Sequence, residues 1–243
     1  MQTKPRRYLV TGGTSGIGAA VAAYLADCGH RVWVTGTREA TVTAATTGGG
    51  IRGGSVCDVS VAEQVEAAFA AAAQSLGGLD GVFSNAGVDG AGASAEKIEA
   101  EGFRRVLEVN VVGTLLVAQA AFRHLDRPGR LVINASVNAT RPERHFADYN
   151  ASKAAALALA RSLALDWGAD GVTVSSISPG YFRTSMTSRY LDDPEVGAQL
   201  RSRIPVGRTG RPEEIGRTVE FLLGPDTEYL NGANVEIDGG SGV

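Results

Sequence analysis

Tyr149 and Lys153, four residues apart, are the pair in this sequence best suited to proton-transfer chemistry. On a helix, positions i and i+4 project from one face, so a phenol and an ammonium group reach a single site together. A phenol titrates near 10 in water, so proton exchange near neutrality asks for a fall of about 3 in pKa, or roughly 4 kcal/mol in favour of the phenolate. A neighbouring cation supplies this electrostatically, and Lys153 is the expected source. Ser136 follows an apolar strand, where open α/β sheets hold ligands, and its hydroxyl suits a substrate oxygen that gains or loses charge. Asn110 interrupts the apolar run Val109-Asn110-Val111-Val112-Gly113, where a buried amide must find partners. Each residue alone has a plainer reading: a packing tyrosine, a solvated lysine, a capping serine.

What joins them is the segment Thr11-Gly12-Gly13-Thr14-Ser15-Gly16-Ile17-Gly18. It follows the first apolar strand directly and opens an alanine-rich helix, the context a dinucleotide-binding loop requires. Gly12 permits the tight turn, Gly16 lets the backbone approach a pyrophosphate, and Gly18 lets helix pack on strand. The helix N-terminus supplies free N–H groups for the anion. At the end of the second strand an acidic residue would accept from an adenosine 2′-hydroxyl, whereas a basic one accommodates a 2′-phosphate. Gly36 stands there, followed by Thr37 and Arg38, which favours NADP(H) with NAD(H) as the alternative; Arg38 also fits a solvated helix start.

The elements that position these residues alternate. Short β-branched runs near 7–11, 31–36, 51–57, 79–84, 129–135, 172–177 and 233–237 read as strands buried on both faces. Alanine-rich stretches at 16–28, 61–76, 103–122, 149–167 and 212–223 read as helices, with a short one after Arg38 that Gly48-Gly49-Gly50 ends. The expected fold is therefore an α/β Rossmann fold, one doubly wound seven-stranded parallel sheet with helices on both faces, and residues 1–243 form one domain. The segment 184–208, opened by Tyr181, Met186 and Tyr190 and punctuated by Pro194 and Pro205, reads as a loop long enough to be a substrate lid.

The G-x-x-x-G-x-G spacing resembles the short-chain dehydrogenase/reductase family, and within it members of the 3-oxoacyl-[acyl-carrier-protein] reductase type. The resemblance covers the whole chain: Asn85-Ala86-Gly87, Asn110, Ser136, Tyr149-Asn150-Ala151-Ser152-Lys153 and Pro179-Gly180 stand in the family's order. It implies hydride transfer between a nicotinamide and a carbonyl or secondary alcohol carbon, with Tyr149 as acid or base. It also implies that Lys153 holds the nicotinamide ribose, that Asn110 helps hold a water relaying protons to Lys153, and that Thr184 contacts the carboxamide. Thr14, Ser15, Ile17, Asn85, Ala86, Gly87, Pro179 and Gly180 are further expected cofactor contacts. Asp58, with Val59, resembles the adenine-contacting position, and Asp58 reads equally as a turn cap. Ser84 and Ala135 depart from the family pattern without removing a catalytic group. Segment 231–240 resembles the strand at which relatives pair subunits, so a homo-oligomer, dimer or tetramer, is expected; Ala151, Ala154, Ala155 and Ala158 either serve such an interface or face the sheet.

Composition narrows the partners. A formal charge of −3 with scattered basic residues argues against nucleic acid. Cys28 and Cys57 suggest neither a disulfide framework nor a metal site, and His30, His124 and His145 stand in no ligand motif, so no metal is expected and a cytoplasmic location is the default. The polar start leads into a strand too short for a signal or a membrane span. The partner expected is a small carbonyl or alcohol. Arg141, Arg144 and His145 either meet an anionic substrate or face water. A binding-only regulator would be indifferent to Tyr149→Phe.

Overall fold

The computed structural model describes residues 4–48, 50–184 and 187–242; Met186, expected at the lid, lies outside them. Seven parallel strands form one sheet in the order β3-β2-β1-β4-β5-β6-β7: β1 Arg7–Val10, β2 Arg31–Gly36, β3 Gly53–Val56, β4 Leu79–Ser84, β5 Leu125–Asn134, β6 Val172–Pro179 and β7 Asn234–Ile237. The order reverses between β1 and β4, and the crevice that opens there at the carboxyl ends of the strands is where such sheets take ligands.

Successive strand side chains point to opposite faces and feed two cores. Leu9, Val82, Leu131, Ile133 and Val174 meet Phe69 and Ala72 of α3 (Ala62–Leu76), Val117 and Ala121 of α5 (Gly113–His124), and Ala156 and Ala160 of α6 (Ala147–Trp167). Tyr8, Val10, Phe83, Val132 and Ile177 meet Val21 and Leu25 of α1 (Gly16–Asp27) and Ile215, Val219 and Leu222 of α9 (Pro212–Leu222). α2 (Glu39–Thr47) is the short helix expected after Arg38.

Several boundaries differ from expectation: β5, expected from 129, begins at Leu125, α6, expected from 149, begins at Ala147, and β6, expected to end at 177, runs to Pro179. β3 is shorter than 51–57, and at this sheet edge Gly53 lies beneath the Trp33 ring, where a Cβ would sit 2.3 Å from Trp33. The helix expected at 103–122 begins at Ala100 and ends at His124; it is divided into α4 (Ala100–Leu107) and α5 by a π-helical turn at Glu108–Val112. By length and composition 100–124 would span a membrane, but half of its most apolar window is buried inside the protein, and α5 packs on α3, β4 and β5. The lid segment contains helix: α7 (Ser188–Leu191) and α8 (Pro194–Ser202). Asp193 caps α8, its Oδ1 accepting from the N–H groups of Glu195 at 3.0 Å and Val196 at 2.9 Å, and Pro194 sits in the first turn, where its missing N–H costs nothing. Pro194, which punctuates the expected loop, thus opens a helix within it.

Candidate active site

Two concavities meet at Tyr149. A groove over the glycine loop is lined by Gly12, Ser15, Gly16, Ile17, Asn85, Ala86, Gly87, Val88, Asn134, Tyr149, Lys153 and Thr184. A larger cavity of about 510 Å³ includes Ser136, Asn138, Glu143, Phe146, Tyr149 and Tyr181. Tyr149 is the one residue common to both linings among the described residues.

The groove is shaped by close backbone approach. Gly12 has φ +62°, and a Cβ there would lie 3.0 Å from Ala86 Cα; at Gly18 it would lie 2.2 Å from the Gly12 carbonyl oxygen. Among the described residues Gly16 has only Thr184 within 4 Å in front of it, at 3.5 Å, which leaves room beside the N-terminus of α1. Ser15 caps α1 by backbone conformation without using its hydroxyl. Asn85 braces the loop, its Nδ2 donating to the Thr11 carbonyl at 3.0 Å, while Thr11 Oγ1 accepts from the N–H groups of Asn85 at 2.9 Å and Ala86 at 3.1 Å. Thr11 was not among the expected contacts, although it opens the motif.

Lys153 is buried on α6 and its Nζ donates to the carbonyl of Asn134, at 2.8 Å, on the last residue of β5. Nζ lies 5.7 Å from the centroid of the Tyr149 ring. Burial holds the Lys153 ammonium down to about 8. Asn134 Nδ2 donates to Asn85 Oδ1 at 2.9 Å, and its own Oδ1 is buried with no hydrogen-bond partner among the described residues. Asn134 was also missed; the signal was strand periodicity, which places it on the face it shares with Ser136 two residues on.

Ser136 is buried at the start of a short turn; its Oγ accepts from the Asn138 N–H at 3.2 Å and hydrogen-bonds the Tyr149 hydroxyl. Burial pushes Tyr149 up to about 12, against the Ser136 contact, with the Asp89 and Glu143 carboxylates adding to the rise. The lowering by Lys153 expected from the sequence is thus not built into the chain alone: the ammonium faces Asn134, and two carboxylates face the phenol.

Asn110 sits in the π turn, and its amide is committed. Oδ1 accepts from Val88 N–H at 2.8 Å, and Nδ2 donates to the Val88 carbonyl and to Ser152 Oγ, each at 3.0 Å. Ser152 Oγ in turn donates to the Tyr149 carbonyl at 2.8 Å, so Asn110 ties the loop after β4 to the helix that carries Tyr149. Asp148, fully buried, makes the second tie, accepting from the N–H groups of Tyr149 and Ala91, each at 2.8 Å.

The remaining expected contacts scatter. Thr37 and Arg38 are exposed at the end of β2, and the Arg38 guanidinium has no partner among the described residues. Thr14 packs over Gly36, where a Cβ would lie 2.5 Å from its Oγ1. Asp58 holds Ser60 Oγ at 2.6 Å and Arg105 at 3.3 Å, the capping alternative, and Val59 is buried against Gly113. Pro179 and Gly180 line the larger cavity rather than the groove, because Gly180 is pinned to Ile237 and Asp238 of the last strand and its end. Arg141 pairs with Glu236 at 2.9 Å, Arg144 lines the cavity, and His145 is exposed. Ala151, Ala154 and Ala158 face outward; Ala156, Ala160 and Ala164 face the core.

An acceptor-lined groove with a bare glycine face at a helix N-terminus fits a dinucleotide, with the unpaired Asn134 Oδ1 left for a donor on the ligand and Arg38 free at the far end. Comparison with known proteins agrees. Residues 12–242 match the family model described as enoyl-(acyl carrier protein) reductase. The chain is 37% identical over 242 residues to the 3-oxoacyl-[acyl-carrier-protein] reductase MabA of Mycobacterium tuberculosis, covering 98% of this chain and 93% of that protein. It is 36% identical over 246 residues to 3beta-hydroxysteroid dehydrogenase 1 of Eggerthella lenta, covering 98% and 94%. Among solved structures, a variant of actinorhodin polyketide ketoreductase with NADPH superposes with TM-score 0.91 at 29% identity, covering 100% of this chain and 98% of that one.

Proposed function

Because the chain belongs to the short-chain dehydrogenase/reductase family, oxidoreductases acting between C=O and CH–OH, we propose that it reduces a small ketone to a secondary alcohol, or the reverse, with Tyr149 as the proton-transferring group. The observation that carries this reading is the position of Tyr149 as the shared wall of the groove and the cavity. When bound, the nicotinamide supplies the hydride in reduction and accepts it in oxidation.

The chain's own part is proton handling and orientation. Ser136 accepts from Asn138 N–H, which directs its own hydrogen toward the Tyr149 oxygen and the cavity, where it steadies the substrate oxygen. Tyr149, kept protonated by burial, is loaded to donate to that oxygen during reduction. Lys153 donates to ligand hydroxyls in the groove from a fixed position on Asn134. Since the Asn110 amide is occupied, a relay through Asn110 has only its main-chain carbonyl, which Thr114 Oγ1 already approaches at 2.8 Å.

NADP(H) is the preferred cofactor, supported by the free Arg38 and by the Thr14 side chain filling the space an acid at Gly36 would need; NAD(H) remains usable. The chain works in the cytoplasm as one domain and as a homo-oligomer, supported by the outward alanines of α6 and by Leu165, 86% exposed beside them. The test is fluorescence titration with NADPH and NADH, then a ketone and alcohol panel in both directions, with Tyr149→Phe as control. Turnover retained in that variant refutes the mechanism.

A further inference from the structure

A second cavity of about 220 Å³ adjoins the substrate cavity at Tyr181 and is lined by Phe182, Val206, Arg208, Thr218 and Ile237 among others. Tyr181 is the one residue common to the linings of both among the described residues. Its main chain is fixed, because its carbonyl accepts from Gly210 N–H at 2.9 Å and Gly180 N–H donates to Ile237 at 2.9 Å. Its hydroxyl donates to the Glu143 carboxylate, which comes from the loop before α6 and lines the same cavity. Glu143 is itself held: its carbonyl accepts from Asn150 Nδ2 at 2.8 Å, and Asn150 Oδ1 accepts from Asn138 Nδ2 at 2.9 Å. Asn138 N–H ends this chain of contacts on Ser136, at 3.2 Å.

We propose that the Tyr181 ring, tethered to Glu143, is the partition that sets the length of ketone this enzyme accepts, by closing the substrate cavity off from the cavity adjoining it. The proposal rests on the reading of the larger cavity as the substrate site. The ring blocks by its bulk and the tether holds it across the opening, since a phenol that keeps its proton in this buried setting is a constant donor to the carboxylate. About 510 Å³ is ample for a one-ring or compact two-ring ketone, and the space beyond would extend it by the length of a further ring. Phe146 is packed edge-on to Tyr149 at 6.5 Å and to Tyr190 at 6.2 Å, so the front cavity already offers aromatic walls to a flat substrate.

The test compares Tyr181→Ala, Tyr181→Phe and Glu143→Gln with the unaltered chain on two probes, phenyl methyl ketone and 4-biphenylyl methyl ketone. NADPH affinity by fluorescence serves as the folding control, since Tyr181 does not line the cofactor groove. Tyr181→Ala is expected to raise the ratio of kcat/KM, long ketone over short, by tenfold or more. Tyr181→Phe and Glu143→Gln, which keep the ring and loosen its tether, should raise it by about twofold to fivefold. Equal loss on both ketones in Tyr181→Ala, with NADPH affinity intact, would overturn the partition. Calorimetric binding of the two ketones separates this from failure of the site reading: if no variant turns over either ketone, a gain in binding confined to the long one still supports the partition, and its absence refutes it.

Discussion

The Lys153 ammonium donates to the main-chain carbonyl of Asn134 at 2.8 Å, so the charge expected to acidify Tyr149 is first anchored to the end of a strand. The phenol meanwhile is half-buried, and its desolvation, with the Asp89 and Glu143 carboxylates adding to it, pushes it up to about 12. The phenol is therefore held in its protonated form, the one that can donate.

Tyrosinate absorbance of the ligand-free chain and of Tyr149→Phe should coincide up to about pH 10.5, because a phenol raised to about 12 stays protonated there. An extra ionisation below pH 10 in the unaltered chain would contradict this. Alcohol oxidation, which must begin by removing that proton, should rise with pH between 7 and 10, whereas ketone reduction changes little. Tyr149→Phe should lower turnover by a factor of about 10³ or more and leave NADPH affinity within about threefold.

Lysine 153 imposes a stability cost with a defined pH window. Its pKa is lowered from 10.5 to about 8, so the unfolded chain holds the proton more tightly, and the penalty, roughly 3 kcal/mol, is fully present below pH 8. It fades as pH rises toward 10.5. Lys153→Met loses the bond to Asn134, worth about 1 kcal/mol, and should still raise Tm by roughly 6 °C at pH 7 while abolishing turnover. Thermal melts at pH 7 and 10 provide the check, and a gain that grows with pH would reverse the assigned sign.

Arg38→Ala should weaken NADPH by about tenfold to a hundredfold, the loss of one charge-assisted contact to phosphate, with NADH barely affected. Gly36→Asp is expected to destabilise the fold by roughly 1–3 kcal/mol before it helps NADH, since its Cβ would meet Thr14 Oγ1 at 2.5 Å. Titrations with both cofactors, alongside melts, distinguish the two effects.

Arg130, 1% exposed on β5, holds the turn after α9: Nε donates to the Gly224 carbonyl at 3.1 Å, one terminal nitrogen to the Pro225 carbonyl at 2.7 Å and the other to the Gly129 carbonyl at 3.0 Å. Arg130→Met should cost about 3 kcal/mol and roughly 10 °C in Tm, because the hydrogen bonds of this buried guanidinium to the Gly224, Pro225 and Gly129 carbonyls are lost together. Arg130 lines neither the groove nor the substrate cavity, so KM for ketone and cofactor should hold, and a shift in KM would contradict the purely structural role.

Much of this protein was legible in one dimension. Strand and helix periodicity placed β2 and β4 to the residue, and the spacing of Gly12, Gly16 and Gly18 declared a tight turn, with Gly12 and Gly18 approaching Ala86 and Asn85 too closely for a side chain. Tyr149 and Lys153 were joined by helix geometry alone, since four residues of α-helix bring side chains onto one face whatever surrounds them.

Burial and partner choice were not legible, because they depend on which distant segments converge. α8 was hidden because Pro194 reads as a breaker unless Asp193 is seen capping the N–H groups beyond it. The commitment of the Asn110 amide to Val88 and Ser152, and of Lys153 to Asn134, joins residues up to 42 positions apart. Local sequence thus determined which groups are present and how neighbours along one element are oriented, since covalent geometry and backbone hydrogen bonding repeat with a fixed period. Only the tertiary structure decided which way Lys153 points, how strongly Tyr149 holds its proton and what Tyr181 separates, because desolvation and electrostatics act through space rather than along the chain.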